Sequence, residues 1–228
     1  MKTKADPHRK PERSVDEVVR DLEFDIHFGA LKPRERLVED DLMRRFDVKR
    51  HVIRNALAEL ERIGIVVKVP NRGAMVRDFD AREVEEISEI RAVLQSRAAE
   101  RMELPAAAQL IDALEAAQRE HDEAVRLREP RAIDKANEHF HDLLFGACGN
   151  AHLAEAIQRY AFLSRAMRLY PLVEVSLLET LRSEHWAMIE ALRRGDRPTL
   201  KRLVVDHIQH SKKIYLDVRH AMSQRLAG

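Results

Sequence analysis

Apolar positions return every three or four residues from the start of the ordered pattern: Val15, Val18, Val19, Leu22 and Ile26, stopping before Gly29. This spacing predicts a helix, opened by Ser14 and Glu17 as a capping box. Pro33 marks a turn. Leu42 and Phe46 predict a second short helix over Glu39–Phe46. After a break at Asp47–Val48, the stripe Ile53, Leu57 and Leu60 predicts a third over Arg50–Ile63, ended by Gly64. The period then shortens. Ile65–Val69 is β-branched and reads as a strand, Pro70–Gly73 as a turn and Ala74–Arg77 as the returning strand. Three short helices and a hairpin describe a winged helix-turn-helix over 14–79.

Beyond Asp80 the pattern is helical throughout. Asp80 with Glu83 caps a helix carrying Val84, Ile87, Ile90, Leu94 and Ala98, which Leu104-Pro105 breaks. A second holds Leu110, Leu114, Ala117 and Val125, and ends near Pro130. The third, over 131–147, places Ile133, Asn137, Phe140, His141 and Leu144 on one face. Leu153, Ile157, Tyr160, Leu163 and Met167 make a fourth, ended by Pro171. Leu178, Leu181, His185, Met188 and Leu192 make a fifth over 176–194. Leu200, Leu203, Val204, His207 and Ile214 make a sixth. The expected fold is mainly α: a winged helix-turn-helix followed by an antiparallel helical bundle over 80–222. Residues 1–13, charged and with two prolines, are expected to form a flexible tail.

Composition narrows the setting. The 228 residues are 45% hydrophobic, enough for a core, so a fully disordered chain is excluded. A single cysteine, Cys148, excludes a disulfide scaffold and a Cys-rich zinc domain and fits a reducing cytosol. No run approaches the length of apolar residues that spans a membrane, and no signal-peptide core precedes Ser14. The expected location is the cytoplasm.

With 40 basic and 39 acidic residues, the formal net charge is only +1, so a globally polycationic wrapper of nucleic acid is excluded. The charge is unevenly placed. Residues 44–77 hold nine Lys/Arg against three Asp/Glu, a local excess of six positive charges. A solvated helix face would also carry such charge, but here it lies on the winged helix. The third helix is narrow enough for a major groove, where an N-terminal arginine can bridge guanine O6 and N7. The hairpin tip carries Arg72 toward the backbone or minor groove.

In the bundle, Asn137 and His141 stand one turn apart on the same face. His185 and His207 each interrupt an apolar stripe on a separate helix. A lone histidine in such a stripe is more often a hydrogen-bonded core residue than a ligand. Three from three helices also describe a convergent site for a divalent metal (zinc, nickel, iron, manganese or cobalt). On spacing alone both readings stand.

The residues themselves resemble a family. Gly29-Ala-Leu-Lys-Pro-Arg-Glu-Arg-Leu-Val-Glu39, Val48-Lys-Arg-His-Val-Ile-Arg-Asn-Ala-Leu57 and Pro70-Asn-Arg-Gly-Ala-Met-Val76 are similar to the GntR-type regulators. That resemblance implies DNA contacts from Arg50 and Arg54, with Lys49, His51 and Gly73 as neighbours. Lys49 replaces the usual capping serine, a loss Asp47 could partly offset. Arg34 replaces the usual glycine after Pro33, and Asp40 stands where many relatives have a basic residue.

Farther on, Asn137-Glu-His-Phe-His141, Gly149-Asn150, Ser183-Glu-His185, Ile189–Asp196 and His207 resemble the FCD domain of the same regulators. The resemblance implies a divalent metal held by Asn137, His141, His185 and His207 beside an effector pocket. Asn137 offers a neutral amide oxygen in place of a carboxylate. Gln95 stands where relatives commonly have glutamate. Arg91, matching a family arginine, and Arg165 are the candidates for gripping a small carboxylate metabolite.

The expected protein is therefore a transcriptional regulator, by analogy a repressor. A homodimer would bind a palindromic operator in double-stranded DNA, with a small carboxylate as effector. Two alternatives are a DNA-binding dimer with a purely structural bundle, and a metal-dependent hydrolase or lyase. Against the last, no carboxylate stands out as a general base, and an enzyme needs no winged helix.

Overall fold

The computed structural model describes residues 13–165 and 175–227. Met167 and Pro171, assigned above to the fourth bundle helix, and all of the 1–13 tail but Arg13 lie outside the described residues, as does the side chain of Ile214. The chain divides into two compact units.

The first unit covers residues 1–26 and 30–78. It holds α1 (Val15–His27, whose last residue belongs to the second unit), β1 (Arg36–Leu37), α2 (Glu39–Phe46), α3 (Arg50–Ile63), β2 (Val66–Val69) and β3 (Gly73–Val76). The capping box at its start is formed in both directions. Ser14 N–H donates to Glu17 at 2.7 Å, and Glu17 N–H donates to the Ser14 hydroxyl at 3.2 Å. Helices α2 and α3 have the expected bounds because their apolar stripes are buried, Leu42 and Phe46 on α2 and Ile53, Leu57 and Leu60 on α3. Gly64 ends α3 at φ 90°, where its N–H reaches the carbonyls of Leu60 and Glu61. That left-handed turn favours glycine because any Cβ would be strained there.

The sheet has three antiparallel strands in the order β1-β3-β2, not the expected two. β1 pairs Arg36 with Met75 and Leu37 with Ala74. At two residues it is too short to show a period of two, so nothing in the pattern announces it. Lys49 caps α3 with backbone alone. Asp47 sits instead at the C-terminal end of α2, left-handed at φ 53°, its N–H bonded to the Met43 carbonyl.

Among the described residues, the second unit, 27–29 and 79–228, holds α4 (Ala81–Arg101), α5 (Ala108–Leu127), α6 (Pro130–Gly146), α7 (Ala151–Arg165), α8 (Val175–Arg194) and α9 (Arg197–Ala227). Asp80 caps α4 by accepting the Glu83 N–H at 2.8 Å. α4 packs against α6, α7 and α9, while α5 packs against α6 and α8. The core includes Leu114, Phe140, Leu144, Met188, Leu192 and Leu200, each fully buried. Arg197 donates to the carbonyls of Ala99 (2.9 Å), Glu100 (2.5 Å) and Met102 (3.0 Å), so a guanidinium from α9 satisfies the open C-terminus of α4. These contacts fix the helices on which the polar residues described next converge.

Candidate functional site

In the first unit, α2, α3 and the hairpin border an open cleft of ≈800 Å³. Arg50 and Arg54 of α3 line it with Arg72 and Gly73 of the hairpin. Lys49 and His51 are exposed at the start of α3. Gly73 has φ 79°, in the left-handed region, and Arg72 precedes it at the exposed turn. Two carboxylates at the start of α2 meet the arginines. Glu39 Oε1 and Oε2 each accept from Arg54 Nε at 3.1 Å. Arg50 donates to Glu39 at 3.3 Å and to Asp40 at 2.6 Å. Neither carboxylate contact is predictable from helical period, because the partners are 10 to 15 residues apart.

In the second unit, the three histidines come together. His141, His185 and His207 offer one ring nitrogen each, all within 4.8 Å of one another. For comparison, tetrahedral zinc with Zn–N near 2.05 Å separates its nitrogens by about 3.3 Å, so small rotations close the set. Phe140 stacks on His185, centroids 4.2 Å apart, and holds its ring plane.

The hydrogen bonds behind the rings decide which nitrogens face the cluster. Gln118 Nε2 donates to Asp122 at 2.8 Å, and an ionised carboxylate only accepts, so the amide orientation of Gln118 is fixed. Its Oε1 therefore faces His185 Nδ1 at 2.7 Å, and Nδ1 must carry the proton. In the neutral ring, Nε2 of His185 is then the nitrogen left to face its neighbours. His207 repeats the arrangement with Nδ1 at 2.9 Å from Glu184. A carboxylate or carbonyl behind each imidazole is the usual means of orienting a metal-binding histidine. The other oxygen of Glu184 lies 2.8 Å from His210 Nδ1.

A fourth imidazole stands beside the set. His121 is buried, its ring 5.5 Å from that of His185. Burial pushes it down to about 4, against the opposing pull of Asp122, so it is neutral at physiological pH. Gln118 and His121 were missing from the expected site, yet Leu114, Gln118, His121 and Val125 form a single helical stripe. The signal was the same one that marked His185: a polar residue on a buried face. Asp122 adds a further link by accepting from Trp186 Nε1 at 3.1 Å and lying 3.4 Å from Arg182 Nε.

Of the remaining candidates, Asn137 is buried on α6 one turn before His141. Arg91 is buried on α4 and, with Gln95 and His141, lines a cavity of ≈30 Å³. Arg165 takes another position. It bridges Asp134 at 3.6 Å and Glu138, joining α7 to α6, and does not line that cavity. His139 is exposed, as its place off the stripe implies.

A basic winged helix followed by a helical domain is the architecture of a DNA-binding regulator of transcription. Residues 14–76 match the bacterial regulatory proteins of the gntR family, and residues 86–210 match the FCD domain. The chain belongs to the GntR family of transcriptional regulators, in the group carrying an FCD domain. It is 28% identical to the HTH-type transcriptional regulator YdhC of Bacillus subtilis strain 168, covering 81% of this chain and 83% of that one. It is 24% identical to the HTH-type transcriptional repressor RspR of Escherichia coli K12, over 91% of each. Two solved structures share the fold. Escherichia coli McbR/YncC has a TM-score of 0.73 at 20% identity, covering 90% of this chain and 98% of that one. A transcriptional regulator GntR from Rhodococcus sp. RHA1 has 0.74 at 21%, covering 89% and 97%. The family and these relatives are regulators of transcription, not enzymes. Among the described residues, no helix is long and apolar enough to cross a membrane.

Proposed function

We propose that this regulator is a cytoplasmic homodimeric repressor whose affinity for a palindromic operator is set by a small carboxylate metabolite in a metal-bearing pocket of its helical domain. Residues 14–79 contact DNA through Arg50 and Arg54, with Lys49, His51, Arg72 and Gly73 beside them, and residues 80–222 hold the effector and the dimer contact. The name of the relative RspR supports the repressing direction.

The observation that carries the effector reading is the three-histidine set, in which Gln118 holds Nδ1 of His185 and Glu184 holds Nδ1 of His207. A core histidine needs no such convergence of three rings. The donor set fits a divalent ion. His141, His185 and His207 would supply imidazole nitrogens, and Asn137 an amide oxygen. Bound there, such an ion supplies a positive charge and open coordination positions for carboxylate oxygens. Arg91 and Gln95, which line the small cavity with His141, would take the other end of the ligand.

That cavity has room for about one water molecule. A metabolite can enter only by displacing the side chains around it. Its affinity then differs between two arrangements of the helices, which is what regulation by a ligand requires.

The test is the joint replacement His185→Ala, His207→Ala in the full chain, loaded with zinc, nickel or manganese. Metal content should fall to background and the rise in melting temperature with added carboxylates should vanish, while operator binding without effector persists. Metal content equal to the parent protein would show that the site is wrongly placed.

A further inference from the structure

The cleft of the winged helix contains two arginines whose surroundings differ in a way that gives them different tasks. Arg54 is held through Nε alone, by both oxygens of Glu39 at 3.1 Å. Its terminal nitrogens, with four N–H groups, extend past that contact from a side chain 62% exposed. Arg50 is held through both terminal nitrogens, one on Glu39 and one on Asp40. The planar end of Arg54 therefore points away from its anchor, whereas that of Arg50 is turned into carboxylates.

We propose that Glu39 is a positioning residue for sequence reading: it holds Arg54 by Nε so that the terminal fork is preset for a bidentate contact with guanine O6 and N7. The inference rests on the reading of this unit as a sequence-specific DNA-binding domain. A free arginine side chain must lose much of its rotamer freedom to make that contact, and an arm already fixed loses less. The fork matches the edge of guanine and no other base. Arg50, with its fork occupied, serves as a backbone contact.

Two consequences of Glu39 have opposite signs, which makes the role separable. Its negative charge beside the DNA face repels phosphates, so its removal should tighten binding to all duplexes. Its grip on Arg54 favours one base, so its removal should erode discrimination. Asp40 is a control of equal charge on the same turn of α2, touching Arg50 and not Arg54. Glu39 also sits in the first turn of α2, where a carboxylate favours the helix dipole. A merely structural role of that kind would move the melting temperature and leave discrimination alone.

The experiment measures binding of the full chain to its selected operator and to a scrambled duplex, by fluorescence anisotropy over a salt series. The chains are the parent, Glu39→Gln, Asp40→Asn, Arg54→Ala and the double variant Glu39→Gln, Arg54→Ala. Asp40→Asn should tighten both duplexes by a similar few-fold factor. Glu39→Gln should tighten the scrambled duplex but cut the operator-to-scrambled ratio about tenfold. In the Arg54→Ala background, Glu39→Gln should leave that ratio where Arg54→Ala put it. An unchanged ratio in Glu39→Gln, or an equal fall with and without Arg54, overturns the positioning role. A parent chain that prefers no sequence removes the DNA-reading function and this inference together, whereas a selective parent with an indifferent Glu39→Gln removes the inference alone.

Discussion

Gln118 Oε1 on α5 accepts a hydrogen bond from His185 Nδ1 on α8 at 2.7 Å, and it does so because Asp122 fixes which end of the amide faces the ring. The pairing links two helices far apart in sequence and chooses the histidine tautomer. If His185 binds a metal as proposed, its affinity depends on residues that never touch the ion.

Gln118→Leu should accordingly weaken metal binding about 10–100-fold, measured by competition with a chromophoric chelator. It should also leave the buried His185 Nδ1–H without its acceptor, at a cost of about 1–3 kcal/mol seen in the melting temperature of the metal-free chain. Unaltered metal affinity would detach Gln118 from the site.

Arg54→Ala should cost about 1–3 kcal/mol of operator binding and relax preference at one base position. Arg72→Ala, at the exposed hairpin turn, should instead weaken binding to all sequences alike and flatten the salt dependence by about one unit of slope. Titrations at several salt concentrations distinguish the two patterns, and identical patterns would refute the division.

The capping box at α1 makes stability depend on acid in a defined direction. The Ser14 backbone N–H, then its hydroxyl, hold the Glu17 carboxyl below its ordinary 4.5. The unfolded chain therefore takes up the proton first as pH falls. The contribution of Glu17 is present above pH 4.5 and disappears as pH drops through its lowered folded value. Glu17→Ala should melt earlier than the parent at pH 7, and the gap should narrow as pH falls below 4.5. A gap that does not change with pH would show that the charge is irrelevant to the cap.

How much could be read from the chain alone follows from the range of each interaction. The bounds of α2 and α3 were readable because local signals agreed there: an apolar stripe, a break at Asp47 and a glycine at 64 with positive φ. His141, His185 and His207 were readable as exceptions within apolar stripes. Arg91 was not readable as buried, since the stripe chosen for α4 ran through Ile90 and Leu94. The buried face keeps Val84, Ile87 and Ala98 of that stripe but takes in Ser88, Arg91 and Gln95 in place of Ile90 and Leu94. Three polar residues on it hide the period that hydrophobicity reveals. Glu39 meeting Arg54, and Asp122 meeting Trp186, arise only when separate helices are packed, and no periodicity encodes them.

Trp186 is the sole tryptophan of the chain, and its indole N–H ends the line that runs through Asp122 and Gln118 to His185. Indole emission responds to the charge and hydrogen bonding at that nitrogen. If a metal enters at the histidines as proposed, its arrival should change the emission of a single built-in fluorophore, which follows it by light in the unmodified protein.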